Sequence, residues 1–93
     1  MFDRQFFEGK LEPAVKEFVA EHCKEGAFPG VEVHLRDGAT YYIKKVIKAG
    51  ERLLFLLVYS EKARVSEITV PYGEVVRLNF IETPARPEAR YEP

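Results

Sequence analysis

The 93-residue chain is long enough for one domain with a single modest core, and too short for a deep cleft between two lobes. Its residues are 46% hydrophobic and 31% charged, the balance of a soluble folded protein, and no apolar run approaches the roughly 20 residues that a membrane span needs. The net charge of -1 provides no overall field that would attract nucleic acid, so such binding would need a local basic patch.

Other features of the composition concern the compartment and the source. The first ten residues carry acids among their aromatics and no continuous apolar segment, so we expect no secretory signal and a cytoplasmic location. The single cysteine, Cys23, excludes an intramolecular disulfide and a multi-cysteine zinc site. Few amides and one Met stand beside many charged residues, a bias that predicts a thermophilic source.

The first predicted element is an amphipathic helix at about residues 12–25. Pro13 suits its first turn, and Gly26 lies where a left-handed residue would end it. Before it, the Phe2, Phe6 and Phe7 rings are spaced to share one helical face, which would pack on the core or on a partner. The apolar side of the helix consists of residues three and four apart: Leu11, Val15, Phe18, Val19, His22 and Cys23.

Five short strands follow, separated by turn residues. The sequence predicts them at residues 31–36, 39–48, 53–59, 67–70 and 74–81. Asp37-Gly38 is typical of a two-residue hairpin turn. Lys44-Lys45 interrupts the alternation of the second strand and predicts a bulge that bends it.

The third strand, Leu53–Tyr59, has no polar side. We therefore expect both of its faces to be covered, one by the interior of the sheet and the other by the helix, with Phe55 and Leu57 in the core. In the last strand, Val76, Leu78 and Phe80 are expected to point inward. Residues 83–93 are rich in proline and charge, which predicts a flexible tail after a single domain at 1–82.

Together these elements predict an α+β, mainly β fold, in which an N-terminal helix caps a five-stranded, strongly bent antiparallel barrel. The order of elements, with Leu35-Arg36-Asp37-Gly38 at the first hairpin and a one-turn break at Pro71-Tyr72-Gly73 before the fifth strand, resembles the Sm-like and SH3-like small β-barrels. The resemblance implies ring assembly through the edges of strands four and five, and in many members RNA binding at loops on the inner rim.

The chain departs from the RNA-binding pattern of Sm-like proteins. Those proteins usually carry an Asp and an Asn between the second and third strands, whereas residues 48–53 here contain no Asn. Pro71-Tyr72-Gly73 also stands where an Arg-Gly or Lys-His element would be expected. The RNA-binding residues of the family therefore carry over to no position in this chain.

Few residues are spaced as a metal site or a catalytic site would require. His22 and Cys23 are adjacent on the helix and point in different directions, and only His34 remains as a further ligand or as a base for a nucleophilic Cys23. The carboxylates of Glu17 and Glu21 lie on the polar side of the helix. We therefore expect no enzymatic activity, no catalytic residue, no metal and no cofactor.

One basic-aromatic cluster is present. Cations for phosphates and rings for stacking are what single-stranded nucleic-acid sites use, but the same residues also keep an exposed strand soluble. Tyr72 is either a rim contact of such a site or a packed turn aromatic. The candidate binding residues are Arg36, Tyr41, Tyr42, Lys44, Lys45, Lys48 and Tyr72.

The sequence thus favours a non-enzymatic small barrel that acts as a protein-binding or self-assembly module, with other copies of itself or another protein as partner and no membrane contact. The alternative is weak binding of single-stranded RNA or DNA through the Lys/Tyr cluster.

Overall fold

The computed structural model describes residues 2–60, 62–83 and 87–92 of the chain. It has one N-terminal α-helix and a five-stranded antiparallel sheet, which confirms the predicted α+β, mainly β fold class. A single π-helical turn, Phe6–Lys10, leads into α1 (Leu11–His22). The strands are β1 (Pro29–Leu35), β2 (Thr40–Ala49), β3 (Leu53–Ser60), β4 (Val65–Pro71) and β5 (Val75–Glu82), with 3₁₀ turns at Tyr72–Glu74 and Pro87–Ala89.

The strands lie in the order β4-β3-β2-β1-β5, and every neighbouring pair is antiparallel. Over the described residues β4 and β5 end the sheet and do not pair with each other, so the predicted closed barrel is a bent open sheet. Two register shifts in β2 lie between Ile43 and Lys45 and between Val46 and Lys48, and the first confirms the predicted bulge. Bulges increase the local twist of a strand, which curves a sheet without joining its two edges.

One face of the sheet carries the core. Its fully buried side chains come from three neighbouring strands: Val31, Val33, Ile43, Leu54, Leu56 and Val58. The helical segment covers this face with Phe7, Leu11 and Val15, and the ring of Phe18 lies 6.0 Å from that of Phe80. We call this side of the sheet the core face and the opposite side the outer face.

The third strand is fully buried on one face and only partly covered on the other, where Tyr59 is 9% exposed, so the expectation of two-sided burial is wrong for Phe55 and Leu57. Leu54, Leu56 and Val58 are fully buried, whereas Phe55 and Leu57 on the outer face are half-buried. The helix packs against β1 and β5 on the core face, the same side as Leu54 and Leu56. The outer face of β3 is therefore only partly covered, and the absence of polar residues from this strand led to an overestimate of its burial.

The first hairpin differs in detail from its prediction. The backbone N–H of Leu35 donates to the Ala39 carbonyl at 2.9 Å and that of Gly38 to the Leu35 carbonyl at 3.0 Å, so the loop has three residues. Within the described chain Gly38 takes positive φ, at 94°, and Asp37 does not. A three-residue loop needs only this one left-handed residue, whereas the predicted two-residue type I′ turn needs two.

The end of the helix and the inward face of β5 also differ from their predictions. The helix ends at His22, earlier than the predicted residue 25, and Gly26, with φ of 85°, lies in the turn that follows. In β5 a register shift opposite Leu35 places Val75 in the core and leaves Val76 47% exposed, so the inward placement of Val76 is wrong. Leu78 and Phe80 pack against the core as expected.

The C-terminal segment packs on the domain over Pro87–Glu92. Ala89 is fully buried and Tyr91 is 8% exposed within the core. The N–H of Tyr91 donates to the Pro29 carbonyl at 2.8 Å and that of Glu92 to the Lys44 carbonyl at 2.6 Å, so the segment bridges β1 and β2. This packing departs from the predicted flexible tail over 83–93, of which residues 84–86 and 93 lie outside the described residues. A single buried tyrosine supplies apolar area that the polar composition of the segment conceals.

Candidate functional site

The two adjacent tyrosines of the predicted cluster lie on opposite faces of the sheet. Tyr41 pairs with Val33 and packs against the core, whereas Tyr42 pairs with Glu32 and Tyr59 on the outer face. This follows from the alternation of side chains along a strand. Tyr42 is thus the member of the pair that a ligand on the outer face could contact.

The three lysines lie along the outer face of β2, and one of them is already engaged. Lys44 donates from Nζ to the Glu88 carbonyl at 2.6 Å and lies 6.0 Å from the centre of the Tyr59 ring. Lys45 and Lys48 are exposed and lie opposite Leu57 and Phe55. The lysine side of the cluster therefore keeps two cations toward solvent beside a half-buried apolar strip.

Arg36 and Tyr72 hold turns together. Arg36 donates from Nη2 to the Gly73 carbonyl at 3.1 Å, which ties the first hairpin to the turn between β4 and β5. Tyr72 donates its hydroxyl to the Gly50 carbonyl at 2.5 Å, its ring lies 6.0 Å from that of Phe7, and burial raises its pKa. Of the two roles considered for Tyr72, these contacts are those of a packed turn aromatic.

A polar cluster that the sequence analysis missed lies on the outer face where β1, β2 and β5 meet. His34 Nε2 lies 2.5 Å from Glu32 Oε1, and His34 Nδ1 lies 3.2 Å from Thr40 Oγ1. Asn79 donates from Nδ2 to Glu32 Oε1 at 3.0 Å. The i, i+2 spacing of Glu32 and His34 was the available signal, but Thr40 and Asn79 join the cluster only through the strand register.

The cluster controls the ionisation of its carboxylate. Partial burial by itself raises the pKa of Glu32, but hydrogen bonds from Asn79 and His34, with the nearby charge of Arg77, outweigh it and hold that pKa below its ordinary 4.5. The side chains of Glu32 and His34 are 22% and 23% exposed. A half-buried carboxylate that stays ionised is an acceptor for a cation or a donor group.

Cys23 and His34 are the remaining candidates for nucleophilic chemistry. Burial raises the pKa of the Cys23 thiol, which disfavours the thiolate, and His34 is occupied by the polar cluster. Across residues 2–60, 62–83 and 87–92, no three His, Cys, Asp or Glu side chains gather around one point. None of the helices in these ranges combines the length and the apolar character of a membrane span.

The edge strands β4 and β5 form a second surface with exposed side chains. All but two residues of β4 are exposed, and Val65 on β4 and Val76 on β5 are 53% and 47% exposed. Glu67 pairs with Leu57 and Arg77 with His34, so their exposed side chains lie on the outer face at opposite ends of the sheet. Each edge therefore carries an exposed valine and one charged side chain, which is acidic on β4 and basic on β5.

No family model, curated protein or solved structure matches this chain.

Proposed function

We propose that this domain is a non-enzymatic binding module whose sheet edges pair with other chains, in the first place with copies of itself. The observation that carries the proposal is the open sheet, which ends in β4 and β5 without closing over the described residues. An edge strand presents backbone N–H and C=O groups that form hydrogen bonds with another strand. The strand order, the preceding helix and the 3₁₀ turn before β5 also support the resemblance to Sm-like and SH3-like domains, and composition alone supports a cytoplasmic, thermophilic setting.

The edges have the length and pattern that pairing requires. β4 has seven residues and β5 has eight, so a β4 strand from one copy can pair along most of β5 in another. Natural edges are commonly protected by prolines, bulges or charges. Here Pro71 lies at the very end of β4, the register shift of β5 falls at its first two residues, and each edge carries a single charge on the outer face, Glu67 or Arg77.

These two charges give the proposal a sharp test. In a parallel β4-β5 contact between copies, the arrangement that keeps the outer faces of both sheets on the same side, Glu67 and Arg77 share the outer face of the continuous sheet, where opposite charges attract. Glu67→Arg and Arg77→Glu should each lower the mass measured by light scattering, and an equimolar mixture of the two variants should recover part of it. Glu51→Arg, in the exposed turn before β3, is the matched control and should leave the mass unchanged. Charge reversals that do not alter the mass of an oligomeric parent would exclude this edge contact.

A second candidate function is weak binding of single-stranded nucleic acid on the outer face. The observation that favours it is the partly exposed ring of Tyr42, which lies on that face of β2 together with the exposed Lys45 and Lys48. Binding to a short RNA should weaken with salt, with a log-log slope of about -0.7 per phosphate neutralised, and removal of either lysine should make the slope shallower. Tyr42→Ala should cost about 1–3 kcal/mol of binding if the ring stacks on a base.

Tyr41→Ala is the control for this second candidate, since Tyr41 lies on the core face and should affect stability without a specific effect on binding. The absence of binding to RNA or single-stranded DNA in low salt, at tens of micromolar protein, would exclude it.

A further inference from the structure

The outer face of β3 carries a partly exposed apolar strip, formed by Leu53, Phe55 and Leu57. Phe55 and Leu57 are half-buried, and Leu53 is 40% exposed. The helix packs against β1 and β5 on the core face, which is the opposite side of the sheet. Because contact with another surface removes such side chains from water, the apolar strip favours an interface.

Charges of opposite sign flank the apolar strip in one row of the sheet. Lys45 on β2 pairs with Leu57, and Leu57 pairs in turn with Glu67 on β4. Neighbouring strands lie about 4.8 Å apart, so Leu57 separates Lys45 and Glu67 by about 10 Å within one chain. Both charged side chains are exposed, and the ion pairs formed among the described residues include neither of them. The row is therefore basic on one side of Leu57 and acidic on the other.

A second copy of the chain complements this row in one orientation. Sheets that pack face to face lie about 10 Å apart and keep their strand directions within about 30° of each other. A two-fold axis parallel to β3 lays β4 of one copy over β2 of the other and keeps each row opposite the same row. Leu57 then packs against Leu57 of the second copy, and Lys45 of each copy faces Glu67 of the other.

The next row fits the same orientation, and the alternative orientation is unfavourable. Tyr59 has Tyr42 on one side and Val65 on the other, so the axis parallel to β3 sets the ring of Tyr42 over Val65. An axis perpendicular to the strands would instead lay β2 over β2. Lys45 would then face Lys45 or Lys48 of the second copy, where like charges repel. The positions of the charges thus select the axis parallel to β3.

We propose that the outer face of β3 is the interface of a symmetric dimer, in which two copies pack face to face about a two-fold axis parallel to β3. This contact uses a face of the sheet and not its edges, so it does not depend on the edge pairing proposed above. It covers Lys45, so the dimer and nucleic acid bound to the same lysine exclude each other. Three strands span less than the standard interface of about 800 Å² per partner, so we expect a weak dimer, with a Kd of about 10 micromolar to 1 mM.

The first test is sedimentation equilibrium at up to about 1 mM protein. All chains carry Arg77→Ala, so that charge changes at position 67 do not act through the edge contact. This reference chain should associate to at least a dimer of its 10.7 kDa chain. Lys45→Glu and Glu67→Lys should each weaken association at least about tenfold, because each sets two pairs of like charges across the axis. An equimolar mixture of the two variants should recover the affinity of the reference chain, since acid and base then face each other in both pairs.

Lys16→Glu is the matched control, because it makes the same charge change on the helix, where the Lys16 side chain is 76% exposed. It should leave association unchanged. Circular dichroism establishes that each variant is folded.

Cross-linking identifies the contact itself. A carbodiimide joins an amine to a carboxylate that touches it, so a mixture of ¹⁴N- and ¹⁵N-labelled protein should yield linked peptides of Lys45 and Glu67 with one label in each peptide. The proposal is overturned if the reference chain stays a monomer up to about 1 mM, if folded Lys45→Glu associates as tightly as the reference chain, if the mixture recovers nothing, or if mixed-label peptides of Lys45 and Glu67 do not form.

Discussion

Truncation of Leu56 and of its neighbour Leu57 tests the unequal burial of the two faces in the middle of β3. Leu56 is fully buried on the core face, whereas Leu57 is half-buried on the outer face. Leu56→Ala removes about three carbon groups, worth about 2.4 kcal/mol at about 0.8 kcal/mol each, and the cavity left behind brings the loss to about 3–5 kcal/mol. For Leu57→Ala the surrounding solvent fills part of the space, so we expect a loss of about 1–1.5 kcal/mol.

Urea unfolding followed by far-UV circular dichroism suits this comparison, since the chain contains no Trp. All proteins should be measured at one concentration, because association would make the apparent stability depend on it. Equal slopes against urea would show that the two variants differ in stability and not in the surface exposed on unfolding. A free energy of unfolding that falls as much in Leu57→Ala as in Leu56→Ala would refute the assignment of the two faces.

Three further predictions concern a turn, the C-terminal segment and the polar cluster. Gly50→Ala places a Cβ 2.8 Å from the backbone oxygen of Leu53 and should lower the stability measured in thermal melts by about 1–3 kcal/mol. Gly9→Ala, in a helical turn where the added Cβ meets nothing within 4 Å, is the control and should raise the stability by about 0.5–1 kcal/mol. Melting temperatures that shift in the same direction in both variants would contradict the packing at Gly50. Tyr91→Ala should cost more than about 2 kcal/mol, while an unchanged melt would mean that the C-terminal segment does not pack in solution. Because the pKa of Glu32 is lower in the folded than in the unfolded chain, its ionisation adds stability that is complete above about pH 4.5 and is lost as the pH falls through the folded pKa. The difference in free energy of unfolding between the parent and Glu32→Gln should therefore shrink as the pH falls below about 4.5. A difference that stays constant on acidification would contradict the depressed pKa of Glu32.

Features with a strong local signal were predictable from the sequence. The periodicity of the helix, the run of strands and the bulge at Lys44-Lys45 all depend on residues that are neighbours in the chain. The fold class followed from their order. Where the prediction was wrong in detail, as at the hairpin and at Val76, one residue more or less in a loop or a bulge decided which side chain points inward.

What could not be predicted depends on contacts between distant parts of the chain. An all-apolar β3 gave no sign that the helix would cover β1 and β5 on the core face. Tyr91 reaches the core across β1 and β2, a contact that no local pattern encodes. The polar cluster exists because Asn79 and Thr40 pair with Glu32 and His34, and pairing register is not visible in the strands taken singly.

Contact between copies through the open edges of β4 and β5 should be visible in the mass of the protein in solution. Sedimentation equilibrium of the parent over about 1–100 micromolar measures this mass independently of molecular shape. We expect a weight-average mass that exceeds the 10.7 kDa of one chain and rises with concentration toward a multiple of it. A single species of 10.7 kDa at every concentration would contradict it.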